Sequence, residues 1–139
     1  MHMIVIEGLI WPGATAASLT VSKQLPLMEP YLPEGSRLHP ATINVLLSTA
    51  LRITVPDIVT PPLPWLGPNR ESERFALTRV GFEYPINSPQ HKAWIYTTER
   101  SPNRFNMLLV ELLAPWIDGL SYRQPCKLHI DRVTIGLVT

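Results

Sequence analysis

The sequence predicts a mainly β protein: a closed barrel of about six strands with one or two short helices. Three observations lead there. Fifteen of the 139 residues are proline, about twice the usual share of ~5%. They are scattered so as to break long helices and to punctuate short strands and loops. Apolar, β-branched runs recur at short intervals with turn residues between them, and no strand–helix–strand rhythm links them. Such a pattern closes most readily into a barrel, whose mouth is a common place for a small ligand.

The first strand is "MIVIEGLIW" (3–11), followed by a small-residue loop, "PGATAAS" (12–18). "SLTVSK" (18–23) reads as a strand, and "LPLMEPYLPEGS" (25–36) leaves room for one helical turn between Pro26, Pro30 and Pro33. "ATINVLLS" (41–48) and "LRITV" (51–55) are strand-like. The Pro-rich excursion 56–73 carries Ile58, Val59, Leu63, Trp65 and Leu66, which prefer cover, so it is not read as a linker. "RFALTRVGFEY" (74–84) alternates, with a slip near Gly81 that suggests a bulge. "KAWIYTT" (92–98) is a strand, "ERSPNRFN" (99–106) a polar loop, and "MLLVELLA" (107–114) a buried strand. "PWIDGLSY" (115–122) opens on proline and reads as a short helix. "CKLHIDRVTIGLV" (126–138) supplies the last strand or two.

One domain, residues 1–139, is the expectation, with length enough for a core without staples. A net charge of +1 argues against nucleic acid as a partner. The single cysteine, Cys126, excludes an internal disulfide and a Cys-rich zinc site. "MHMIVIEG" lacks the basic and apolar regions of a signal peptide, and no apolar stretch approaches the roughly 20 residues of a membrane span. A soluble cytoplasmic protein with a small-molecule ligand, and with neither nucleic acid nor membrane as partner, is the resulting expectation.

Thr42 and Asn44 are the chemically informative pair. Residues two apart on a strand share a face, so a hydroxyl and a carboxamide stand together in an otherwise apolar run. They read either as ordinary strand and turn residues or as neutral oxygens offered to a hard cation or to a phosphate. Mg²⁺ asks for only one or two protein oxygens when phosphates and waters complete its shell. Glu111 is the lone charge inside "MLLVELLAP". Pointing outward it is unremarkable. Pointing inward, a costly buried carboxylate binds a ligand N–H or O–H. "PGATAAS" serves as a plain turn or lets the backbone approach an anion. The histidines, at 2, 39, 91 and 129, show no metal-ligand spacing.

Taken together and in order, these segments resemble the archaeal CTP-dependent riboflavin kinases, whose fold is a cradle-loop β-barrel. The resemblance runs from "IEG" (6–8) to "KLHI" (127–130). "TINVLL" is similar to that family's Gly-Thr-Leu-Asn-Val segment, and "VELLAP" to its Ile-Glu-Ile-Ile-Ala-Pro segment. The resemblance implies Mg²⁺-dependent phosphoryl transfer from a nucleoside triphosphate to riboflavin, giving FMN. It implies that Thr42 and Asn44 bind the magnesium ion, and that Glu111 and Asn103, eight places before it, contact the flavin. Nucleotide-binding loops fall on Gly13, Ala14, Thr15, Ala16, Ala17 and Ser18, and on Trp116, Ile117, Asp118 and Gly119. The donor side departs from the family: Gly13 alone survives of the first loop's glycines, Ala41 replaces the glycine before Thr-x-Asn, and the expected arginine gives way to Ile117-Asp118-Gly119. The alternatives are a non-catalytic flavin- or nucleotide-binding barrel, and an enzyme acting on another small hydroxylated substrate.

Overall fold

The computed structural model describes residues 2–13, 17–33, 37–98 and 107–137. Its strands are β1 (Met3–Trp11), β2 (Ile43–Ile53), β3 (Ile58–Val59), β4 (Phe75–Glu83), β5 (His91–Thr98), β6 (Met107–Leu113), β7 (Pro125–Asp131) and β8 (Ile135–Leu137). Six of them form a ring in the order β1–β7–β4–β5–β6–β2, which closes because β2 also pairs with β1. Every neighbouring pair is antiparallel. Outside the ring, β3 pairs with β4 and β8 with β2. The closed antiparallel barrel is the architecture the proline spacing and the short apolar runs predict.

Two apolar layers hold it together. Ile6, Ile10, Val45, Val80, Phe82, Ile95, Val110, Leu112 and Leu128 fill the barrel. A second layer lies outside β4, β5 and β6, where Phe75, Leu77, Trp94, Tyr96 and Leu113 are covered by helix α1 (Ala17–Met28) and by Leu63. This layer explains the slip in β4. Phe75 and Leu77 belong to the outer layer, whereas Val80 and Phe82 belong to the barrel interior. The register with β5 runs unbroken from Phe75↔Thr98 to Phe82↔His91. The strand therefore changes which face is buried, and the bulge expected near Gly81 is not formed. The irregularity in the ring lies in β2, between Leu46 and Leu51, inside what the sequence suggests are two strands.

Helix α1 overturns two expectations, a strand over 18–23 and a single helical turn over 25–36. Val21, Gln24, Leu25 and Met28 follow helical spacing and are all buried. Burying Val21, Leu25 and Met28 is worth ~1.5–3 kcal/mol each. That outweighs the ~3 kcal/mol of an interior proline at Pro26, which lies in the last turn. A 3₁₀ turn (Glu29–Tyr31) follows. The helix expected over 115–122 is replaced by turns. Gly119 takes a left-handed φ of 75°, and Ile117 is drawn into the core. The Pro-rich excursion is covered as expected: Leu63 is buried and bridges to Glu73, and Trp65 donates to the Glu73 carboxylate at 3.1 Å. Among the described residues, no helix is long and apolar enough to cross a membrane.

Candidate functional site

Antiparallel pairing brings the end of β1, the start of β2 and the end of β6 to one end of the barrel. Trp11 pairs with Asn44, and Asn44 pairs with Glu111. Val45 and Val110, the next pair along, point into the barrel. Asn44 and Glu111 therefore stand side by side on the outer face, not toward the barrel interior. Neither lines the cleft that Thr42 borders, and Glu111 keeps its interest because it is half-buried on that outer face. Thr42, just before β2, donates its hydroxyl to Glu111 Oε1 at 3.3 Å. Gly13 completes the group: a Cβ built on it lies 2.9 Å from Asn44 Cγ, so the Asn44 carboxamide fills the space that any larger residue would claim. The structure thus gathers Gly13, Thr42, Asn44 and Glu111, which lie in three separate stretches of sequence.

Glu111 is half-buried. Burial pushes its carboxyl above the ordinary value, and the hydrogen bond from Thr42 partly offsets this. One step beyond the Ile95↔Leu112 pair, Tyr96 comes alongside Glu111. Its phenol is buried and donates to Gln24 Oε1 of α1. Burial raises the Tyr96 phenol, and the charges of Glu111 and then Glu73 raise it further. Hydroxyl, carboxamide and carboxylate are the oxygen donors that hard divalent cations take. Among the described residues, no three His, Cys, Asp or Glu side chains converge on one point.

Thr42 also borders a cleft of about 290 Å³ lined by His39, Ala114, Trp116, Ile117 and Gly119. Trp116 is 68% exposed. Its indole N–H donates to Asp118 Oδ1 at 2.8 Å, and the His39 ring meets it edge-on with centroids 4.8 Å apart. Ile117 is chiefly a core residue, so only its edge is offered to the cleft. Tyr84 fixes the segment from below by donating to the Gly119 carbonyl at 2.7 Å and accepting from Ser121 N–H at 3.2 Å. A larger open hollow of about 550 Å³, beside β1, β2 and β7, is bordered by Glu7, Gly8, Cys126 and Lys127 but by none of the candidate metal-, flavin- or nucleotide-binding residues.

Ala14, Thr15, Ala16 and Asn103 lie outside the described residues, and Ala17 and Ser18 open α1. Sequence reasoning passed over His39, Gln24 and Tyr96. His39 had a local signal, since it stands three residues before Thr42; its N–H bonds the Ala114 carbonyl at 2.8 Å and ties the loop to the end of β6. Tyr96 and Gln24 had none, because their neighbourhood to Glu111 depends on long-range register. The chain matches no protein-family model and no curated protein.

Proposed function

We propose that the protein is a riboflavin kinase-like phosphotransferase, moving a phosphoryl group from a nucleoside triphosphate to riboflavin with Mg²⁺. The observation that carries this reading is the junction of Thr42, Asn44 and Glu111 at one barrel end, beside an aromatic-walled cleft. Phosphoryl transfer is mostly positioning and charge neutralisation, and this site offers positioning groups. Thr42 and Asn44 would hold Mg²⁺, which when bound supplies charge neutralisation to the phosphates. The donor set fits such an ion: neutral oxygens stand next to a carboxylate whose burial disfavours its charge. Glu111 accepts from a ring N–H or hydroxyl of the acceptor. Trp116 presents an exposed face for a base to stack on.

A second reading, a barrel that binds flavin or nucleotide without transferring phosphate, is favoured by Asp118. Its carboxylate stands beside Trp116, where it repels a triphosphate that carries no compensating cation. We therefore expect weak CTP binding and slow turnover. The deciding assay is FMN formation from riboflavin with CTP, ATP, GTP or UTP plus Mg²⁺, alongside flavin binding. Turnover that falls in Asn44→Ala supports the kinase. Flavin binding without turnover supports the second reading, and a protein with no affinity for flavin overturns both. Glu111→Ala should weaken flavin binding roughly 5- to 150-fold, since an unpaired ligand donor costs ~1–3 kcal/mol.

A further inference from the structure

Strand β4 lies three steps around the ring from β2 in either direction, so its outer wall faces away from the site above. On that wall Gly81 is paired with Lys92 of β5 and with His129 of β7. Directly paired residues share a face, so the two side chains flank a position that has none. Arg79, two residues earlier, lies on the same face. The result is a hollow of about 330 Å³ bordered by Arg79, Gly81, Lys92, His129, Asp57 and Asp131.

Both signs of charge line this hollow, and their engagements differ. Asp57 Oδ2 accepts the backbone N–H of Arg79 at 2.7 Å, and Asp131 Oδ1 accepts that of Val133 at 3.0 Å. The neighbouring Glu83 accepts the N–H of Asn87 at 2.9 Å and meets His129 Nε2 at 2.9 Å. Each acid accepts a backbone N–H, which fixes its direction but leaves its charge in place, so an anion has to bind on the Lys92 and Arg79 side of the hollow. The Arg79 guanidinium lies over the Trp94 ring, 5.3 Å from its centroid. Among the described residues, neither Arg79 nor Lys92 is in an ion pair. A further observation marks the spot: the Gln90 carboxamide oxygen rests where a Cβ on Gly81 would be. An acceptor oxygen of the chain's own thus already lies against Gly81, at the border of the hollow.

We propose that the wall around Gly81 is an oxyanion site, taking the phosphate or carboxylate group of a small molecule between Lys92 and Arg79, on the side away from the His129–Glu83 pair. The ligand oxygen displaces the exposed Gln90 end and gains charge-assisted hydrogen bonds. The site is independent of the function proposed above. Inorganic phosphate, and acetate in a parallel series, are titrated into the full chain while the backbone amides of Gly81 and Lys92 are followed by NMR. A saturable shift at both amides is expected, and the ion that gives it at lower concentration identifies the group recognised. Lys92→Ala should weaken binding roughly tenfold or more. Gly81→Ala leaves every charge in place but adds a Cβ at that border. Its Cβ meets only the Gln90 side chain, so the fold should persist by circular dichroism while binding is lost. Gln90→Ala should bind at least as well as the parent. No saturable shift with either ion, or undiminished binding in Gly81→Ala, overturns the proposal.

Discussion

The Thr42 hydroxyl donates to the Glu111 carboxylate across 3.3 Å, joining two residues 69 positions apart. The bond sets Glu111's orientation and ties the start of β2 to the end of β6. It also leaves Thr42 a free lone pair, since a hydroxyl that donates once still accepts. An oxygen engaged in this way can face a cation without giving up its protein partner.

Gly13 and Asn44 should behave as one unit. Gly13→Ala forces the Asn44 carboxamide out of its place, and overpacking of this kind costs ~1–3 kcal/mol. The melting temperature should fall on the order of 3–10 °C. Adding Asn44→Ala removes the clash and should recover most of the loss. A pair of losses that simply add, measured by thermal circular dichroism, would separate the two residues.

Two carboxyl groups should give opposite pH dependence. Glu111 is raised from 4.5, chiefly by burial. Its contribution to stability is complete below 4.5 and is lost as pH rises through the raised folded value. Glu83 is lowered from 4.5, first by the Asn87 N–H and then by His129. Its contribution is present above 4.5 and is lost as pH falls through the lowered folded value. Urea midpoints across this range should therefore show Glu111→Gln flattening the loss toward neutral pH, and Glu83→Gln flattening the loss toward acid. Mg²⁺ should offset the Glu111 effect near neutrality. Parallel curves for parent and variant would remove that carboxyl from the balance.

Tyr84 holds the turn that carries Trp116 and Asp118. Tyr84→Phe leaves the Gly119 carbonyl and the Ser121 N–H without their partner. Gly119 and Ser121 are themselves exposed, so water can take the place of the phenol, and each lost bond costs only the ~0.5–1.5 kcal/mol of an ordinary hydrogen bond. Hydrogen exchange should speed up over 117–121 more than in the barrel strands. Uniform acceleration along the chain would assign Tyr84 to general stability instead.

Cys126 should report unfolding. Its side chain is buried inside the barrel, and burial pushes the thiol up to about 12. The thiolate is the reactive form, so alkylation of the native protein should be slow at neutral pH and rise sharply through the urea transition. Rapid labelling without denaturant would mean that the wall between β1 and β7 opens readily.

The barrel was legible because strands bury local, repetitive patterns. β1 and β6 are apolar runs whose ends are visible in the sequence, and β1 is found at its expected bounds, Met3–Trp11. The shared face of Thr42 and Asn44 follows from the two-residue period alone. That Glu111 lies opposite Asn44 does not, because strand register is a long-range property. Helix α1 was obscured by Pro26, Pro30 and Pro33, although Val21, Leu25 and Met28 carry its spacing. The change of buried face along β4 resembled a bulge because a single sequence shows no second apolar layer. Fold and site were thus readable where one strand's own residues decide, and hidden where a packed partner does.

Of the six barrel strands, β1 is synthesised first and β7 last, yet they are paired from Met3↔Asp131 to Leu9↔Pro125. Until β7 leaves the ribosome, β1 lacks a neighbour on one side and β4 lacks one on another. The nascent chain thus carries two open edges, with Ile6 and Phe82 still short of their final cover. Such edges are templates for pairing with another chain. A chain cut short before Pro125 keeps both edges unpaired and should aggregate more readily than the full domain, so the order of synthesis leaves ring closure to the last strand made.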